Sequence, residues 1–442
     1  MRVFLDSVGC KLNQGEIDAL GRRFAEVGHR IVSRAEEADL CVFNSCVVTH
    51  MAARKSRQVV RRMRRANRSA LMVVTGCYAE LAPDEVCQIG GVDLVIGNRG
   101  KERLVDLLIE KEVLSPSGES LGVPYQAPRT RAFVKVQDGC DNACTYCIVT
   151  VARGEARSRP PKEIISEVVA RVAEGYKEIV LTGVHIGSYG KDGGAGCSLN
   201  LRELLEEILT RTELARLRLS SLEPWDFDAS FLPLWRDARL CRHLHLPLQS
   251  GCDLVLGRMG RHYTCREFSE MVERARQVIS DLAVTTDVMV GFPGETEAEF
   301  RESYRFVKAM GFAKIHVFKY SLRAGTLAAA MPEQVASELK TERSRAMLDL
   351  AESASRSFRR RFLSRRMEVL WESRRRGQDA LWNGLTSNYM RVMTRSDLPL
   401  ANTITATRLK TLDGQGIWGE IVDGEEVRRE WCASFVRSLP AG

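Results

Sequence analysis

Across the first 110 positions, short apolar runs alternate with amphipathic stretches, the pattern of strands joined by helices. The run Val3 to Val8 is followed by Ile17, Leu20, Phe24 and Val27 at helical spacing, and further strand-like runs fall at Leu40 to Asn44, Ala70 to Thr75 and Leu94 to Ile96. The lengths between them suit crossover helices, so this segment predicts a parallel α/β sheet. Residues 113–130 hold two glycines and three prolines and read as a linker. Six candidate strands follow, at Phe133 to Val136, Ile179 to Thr182, Leu217 to Leu222, Leu244 to Leu248, Val284 to Val290 and Ile315 to Tyr320. Helical patterns between them at Ile164 to Ala173, Leu201 to Leu209, Phe268 to Ile279 and Glu297 to Met310 make repeated β/α units, either a partial barrel or an open sheet. Beyond a charged helical stretch at 333–363, short β runs at Met390 to Met393, Asn402 to Thr407 and Trp418 to Val422 are separated by Gly and Asp turns and predict a small β-barrel. The fold class is α/β, with expected divisions at 1–112, 113–130 (linker), 131–363 and 364–432.

Composition adds one pointer. With 44% apolar and 28% charged residues the chain is ordinary globular material, and no run approaches the roughly 20 apolar residues of a membrane span. The opening MRVFLDSVGCKL lacks the layout of a signal peptide, so the expected location is cytoplasmic. Thirteen cysteines, odd in number and widely scattered, do not suit a disulfide framework and turn attention to metals. Cys140, Cys144 and Cys147 stand in GCDNACTYC, a CxxxCxxC spacing just after the first strand of the second block. Three thiolates can hold three irons of a [4Fe-4S] cluster and leave the fourth open. A structural zinc would want a fourth protein ligand, and no Cys or His follows at the usual spacing. Cys10, Cys46 and Cys77 each end a predicted parallel strand (RVFLDSVG, LCVFNS and LMVVTG). Such ends share the edge where open α/β sheets bind ligands, so these cysteines either converge on a second site or are three core thiols.

With Tyr146 just before its last cysteine, the CxxxCxxC triplet resembles the radical S-adenosylmethionine superfamily. The resemblance implies a partial (β/α)6 barrel, and a cluster whose open iron is chelated by S-adenosylmethionine and whose electron releases a 5′-deoxyadenosyl radical. VGCKLNQ, NSCVVT and TGCYAE resemble the N-terminal motifs of the methylthiotransferases, which implies that Cys10, Cys46 and Cys77 hold a second [4Fe-4S] cluster carrying the sulfur to be methylated and inserted. The likeness continues through TGVHIGSYG, RLSSLEP, HLPLQSG, TDVMVGFPGETE and HVFKYSLRAGT, and implies a cofactor pocket at Tyr146, Gly183, Glu223, Gln249 and Ser250. Thr150, in CIVTVARG, departs from the proline that relatives commonly place there. The C-terminal piece resembles a TRAM domain, an RNA-binding barrel in which Trp371, Trp382 and Tyr389 either stack on RNA or pack in the core. The other cysteines, Cys41, Cys87, Cys197, Cys241, Cys252, Cys265 and Cys432, have no ligand spacing.

Charge supports a nucleic-acid partner. Residues 54–68 hold seven Arg and one Lys with no acid, and residues 356–376 hold nine Arg against Glu368 and Glu372, so the rest of this net +8 chain is acidic. Within the family, VGCKLNQ, VVTHMAARKSRQVVRR and TGVHIGSYG look most like the branch acting on threonylcarbamoyladenosine in tRNA. The expected partners are a tRNA anticodon stem-loop, an electron donor and a sulfur source. The alternatives are isopentenyladenosine in tRNA, an aspartate of a ribosomal protein, and a non-enzymatic RNA-binding iron-sulfur protein.

Overall fold

The computed structural model describes residues 1–115, 130–193, 199–374 and 380–422; most of the expected linker, Cys197, Cys432, Arg375, Arg376 and the end of the expected last division lie outside these. The first unit runs β1 (Arg2–Ser7), α1 (Lys11–Glu26), β2 (Arg30–Val32), β3 (Leu40–Ser45), α2 (His50–Ala66), β4 (Leu71–Gly76), α3 (Cys77–Leu81), α4 (Pro83–Cys87), β5 (Leu94–Ile96), α5 (Asn98–Lys101) and α6 (Leu104–Glu110). Its sheet has the order β2-β1-β3-β4-β5 and every pairing is parallel. Strand β2 was not predicted, because three residues at a sheet edge carry too little pattern. β3 is buried throughout, with Phe43 in the core under α2 and Leu40 and Val42 in the core under α1, which is why LCVFNS reads as a continuous apolar run.

The second unit comprises β6 (Arg131–Lys135), β7 (Gln137–Asp138), α7 (Val149–Arg153), β8 (Arg157–Ser158), α8 (Pro161–Ala173), β9 (Glu178–Thr182), α9 (Leu201–Arg211), β10 (Arg216–Leu219), β11 (His243–His245), α10 (Asp253–Arg258), α11 (Cys265–Val278), β12 (Ala283–Val290), α12 (Glu297–Met310), β13 (Lys314–Lys319) and α13 (Ser337–Arg360). All six predicted strands form, in two parallel triples, β6-β9-β10 and β11-β12-β13, joined through bridges such as Ser221 to His245. β6 and β13 stay unpaired on their outer edges, so the barrel is partial. Predicted strand Leu244 to Leu248 stops at His245, two residues before Pro247, which has no N–H to continue a ladder. Alternate residues such as Leu217, Leu219, Leu244 and Val284 pack under the helices, which turns Arg218, His243, Thr285 and Asp287 toward the lumen.

The last unit is a closed barrel of β14 (Arg366–Arg374), β15 (Leu381–Thr386), β16 (Arg391–Arg395), β17 (Ile404–Asp413) and β18 (Gly416–Ile421). β14 was missed because its apolar positions are embedded in the arginine run. The small barrel caps the amino-terminal end of the large one: Arg216 donates to Leu385 O (3.0 Å), Arg218 to Ser387 O (3.0 Å), and Arg131 pairs with Glu372 (2.7 Å). This placement corrects the stacking candidates. Trp371 and Trp382 fill the small barrel's core and donate their indole N–H to Thr405 Oγ1 (2.8 Å) and Ser396 O (3.0 Å), so neither offers a face to RNA. Tyr389 stacks on His243 inside the junction, 4.6 Å between ring centroids.

Candidate functional site

The Cys140 loop leaves the carboxyl end of β6 through Gly139, whose φ is +69° and whose missing Cβ would lie 1.8 Å from Glu155 O, so only glycine fits. Cys140 N–H donates to Gly154 O (3.0 Å) and Cys147 N–H to Cys144 O (3.0 Å), curling the loop so that the three thiols act on one another electrostatically. Burial pushes Cys147 up to about 11. Two groups that the sequence did not single out support this loop. Arg261 reaches Cys144 Sγ (3.5 Å), lies over Trp225 (4.6 Å), donates to Pro247 O (3.1 Å) and pairs with Glu223. His185 sits 3.9 Å from Cys140 Sγ with its other nitrogen on Asp226. Burial opposes its charge, but the hydrogen bonds to Asp226 and Cys140 prevail and raise it to about 9.

Of the expected pocket residues, Tyr146 lies in this loop and Glu223 is tied to it through Arg261. Tyr146 packs edge-on against Phe292, 6.4 Å between centroids. Gly183 is small because Gln137 O would lie 2.9 Å from its Cβ. Gln249 has φ +66° and is held to β12 by its N–H on Asp287 O (2.8 Å), which turns it out of the strand path. Ser250 is fully buried and accepts Cys252 N–H (3.3 Å), which holds the turn that follows Gln249.

Cys10, Cys46 and Cys77 follow the adjacent strands β1, β3 and β4 and do converge. A Cβ on Gly9, φ +117°, would lie 2.8 Å from Cys46 Cβ, and the thiols of Cys10 and Cys77 both act on Cys46. Gly76, φ +97°, makes the equivalent turn before Cys77, its Cβ position 2.4 Å from Ser45 O. Cys46 and Cys77 are buried while Cys10 is open to solvent, and burial pushes Cys46 up to about 11.

A buried guanidinium ties the segment that follows the Cys140 loop to the sheet unit that carries Cys10 and Cys77. Arg153, six residues after Cys147, donates to Glu16 (2.9 Å), Asp138 (2.8 Å) and Asn13 (2.8 Å), and its charge acts on both Cys10 and Cys77. Lys101 completes the network on Glu16 (2.6 Å) and Asn98 (2.7 Å), and Asn98 donates to Ala152 O (2.7 Å). Burial works against Glu16's charge, yet Lys101 and Arg153 outweigh it and hold the carboxyl well below the usual range. Among the described residues no three His, Cys, Asp or Glu side chains are close enough to share a single metal ion. Each set offers three thiols and no other acidic or imidazole ligand by spacing, a donor set that suits a [4Fe-4S] unit with one iron left for a non-protein ligand. His185 lay within TGVHIGSYG just past a strand end, which was the available signal, whereas Arg153 in CIVTVARG ends a helix and neither it nor Arg261 had one.

Outside these sites, Cys41 and Cys241 are buried, Cys252 donates to Glu302 (3.4 Å), Cys87 is exposed and Cys265 opens α11. The basic runs differ. On α2, which starts beside Cys46, Arg54, Lys55, Arg61 and Arg65, and just past its end Arg68, are exposed and form no ion pair with a described residue. In the second run, Arg359 is buried on Gly414 O (2.7 Å) and Arg365 pairs with Asp281 (2.6 Å), so part of that charge builds the small barrel's attachment.

Comparison with known proteins agrees with this architecture. Residues 134–307 match the Radical SAM superfamily, and residues 2–97 match Uncharacterized protein family UPF0004. The chain is 38% identical over 92% of its length to the threonylcarbamoyladenosine tRNA methylthiotransferase MtaB of Bacillus subtilis, covering 93% of that protein. It is 37% identical over 84% of its length to the protein of the same name from Thermotoga maritima, covering 86%. The tRNA-2-methylthio-N(6)-dimethylallyladenosine synthase of Acetivibrio thermocellus is 32% identical over 95% of the chain and 90% of its own length. Among solved structures, the radical S-adenosylmethionine methyltransferase TsrM of Kitasatospora setae shares the fold, with a TM-score of 0.56 and 17% identity over 74% of this chain and 77% of that one.

Proposed function

The chain belongs to the radical S-adenosylmethionine methylthiotransferase family of the MtaB type, and on that premise we propose that it methylthiolates carbon 2 of N6-threonylcarbamoyladenosine at position 37 of tRNA. The cofactors are S-adenosyl-L-methionine and two [4Fe-4S] clusters, for which we propose Cys140, Cys144, Cys147 and Cys10, Cys46, Cys77 as ligands. When bound, these groups supply one-electron cleavage of S-adenosylmethionine and a source of methylthio. Such chemistry is needed because the C2–H of adenine has no acidic proton or leaving group for ordinary acid–base or nucleophilic catalysis.

The protein's own groups do the positioning. Gly183, Tyr146, Glu223 and Gln249 shape the cofactor pocket, with Arg261 holding Glu223 against Cys144. Arg153 fixes one triplet relative to the other and sets a positive charge between two anionic sites. The exposed cations of α2 begin at the Cys46 loop and hold the backbone of the anticodon stem-loop, whose single-stranded base 37 can be splayed into a pocket. A sulfur source and an electron donor act as partners in the cytoplasm. We divide the chain functionally at 1–112, 131–363 and 364–432, with 113–130 as the link. The observation that carries this reading is the convergence of Cys10, Cys46 and Cys77 at neighbouring strand ends in a chain that also holds the CxxxCxxC loop and is similar over most of its length to the named enzymes. Mass spectrometry of tRNA nucleosides from a deletion strain tests it: 2-methylthio-N6-threonylcarbamoyladenosine should vanish. Loss of the dimethylallyl counterpart instead would favour the other named branch.

A further inference from the structure

Lys11, the residue after Cys10, begins α1 and points away from the thiols. Arg153 is the strongest charge acting on Cys10, whereas the Lys11 ammonium stands 5.6 Å from the centroid of the Tyr389 ring in the large barrel's lumen. Among the described residues the other two cations over that ring are matched: Arg131 by Glu372 (2.7 Å) and Arg218 by Glu178 (2.6 and 3.0 Å). Lys11 has no hydrogen-bond or ion-pair partner among the described residues. The lumen wall beside it adds imidazoles. His245 holds Thr285 (2.9 Å) and Asp287 (3.4 Å), His316 lies opposite Asp287 in register with its ring 5.8 Å from that of His245, and His243 Nδ1 is buried without a partner.

Resting on the function proposed above, we propose that Lys11 and His316 form an anion site in the lumen that takes the carboxylate on the N6 substituent of the target adenosine. An unpaired ammonium in a lumen is costly to desolvate against an apolar group, and a carboxylate relieves that cost. An N6 substituent leaves the purine on the other side of N1 from C2, so a base that offers C2 to the triplets at the carboxyl end can direct the substituent toward Lys11. A site built to bond a charged group rejects analogues lacking it far more strongly than an apolar pocket rejects an extra methylene.

The test uses the iron-loaded enzyme and two anticodon stem-loops, one carrying the threonylcarbamoyl carboxylate and one its neutral carboxamide. Wild type should favour the carboxylate about 10- to 100-fold in kcat/KM and in affinity by fluorescence anisotropy. Lys11→Gln should abolish that preference while binding the carboxamide as wild type does, and Lys11→Arg should keep most of it. Equal loss on both RNAs would make Lys11 structural or a phosphate contact and overturn the proposal. Should Lys11→Gln fail to take up iron, His316→Gln, distant from both triplets in sequence, should reduce the same preference; an unchanged preference there counts against it. If wild type modifies neither RNA, the proposed function fails, and the anisotropy preference alone then decides the role of Lys11.

Discussion

Cys140, Cys144 and Cys147 lie within eight residues of one loop, whereas Cys10, Cys46 and Cys77 are gathered from the ends of three neighbouring strands. The first set depends on one loop and its glycine turn; the second depends on strand order across a whole sheet. They share Arg153, which belongs to the loop yet is held by Glu16 of the sheet unit. A site made from a single loop can fail alone. A distributed site fails together with the sheet that assembles it.

The sharpest way to break this contrast is at the shared charge. Glu16, Arg153 and Lys101 are almost wholly buried, so Glu16→Gln leaves Lys101 without a carboxylate and Arg153 with Asp138 alone, and should cost about 3–5 kcal/mol in urea unfolding. Because Glu16's folded-state pKa is depressed, its contribution is complete above the ordinary carboxylate value and fades as pH falls; stability of the Gln variant should therefore depend less on acid. The two glycine turns separate the sites next. Gly76→Ala forces a Cβ to 2.4 Å from Ser45 O within the sheet and should cost about 1–3 kcal/mol, together with the iron of the Cys10 site. Gly139→Ala should remove about half the iron and leave the melting transition nearly unmoved, since it strains only the loop. Equal thermal destabilisation by both would contradict the contrast.

Smaller effects test the surfaces. Replacing Arg61 and Arg65 with Gln should weaken tRNA binding without altering iron content and reduce the salt slope of log Kd by about two. At the sheet's edge, hydrogen bonds from Arg2 hold Asp39 at about 2, so its contribution is full above the ordinary carboxylate pKa and is lost as pH falls below that value toward about 2. With 38% of the Asp39 side chain exposed, Asp39→Asn should cost under about 0.5 kcal/mol at neutral pH.

The same contrast explains what could be read from the chain. The CxxxCxxC spacing is local, so it was visible before any fold was drawn. The distributed triplet became visible only when LCVFNS and LMVVTG were drawn as adjacent parallel strands. Arg261 and Glu16 escaped because their roles come from contacts far along the chain, Arg261 reaching back to Cys144 and Glu16 forward to Arg153. Trp371 and Trp382 were misjudged because composition does not distinguish a core indole from a stacking platform in a small barrel, where both faces lie a few ångströms apart. The arginine run at 356–376 misled for a related reason: long cationic side chains can bond carbonyls, as Arg359 does, as readily as phosphates.

The most direct measurement is iron content with product analysis on anaerobically purified protein. Wild type should hold about eight irons. Ala at Cys140, Cys144 and Cys147 should leave about half and abolish 5′-deoxyadenosine formation from S-adenosylmethionine and reductant. Ala at Cys10, Cys46 and Cys77 should also leave about half, keep 5′-deoxyadenosine formation, and abolish methylthio transfer to tRNA. Undiminished iron in either variant, or 5′-deoxyadenosine from the first, would contradict two separate clusters with divided roles.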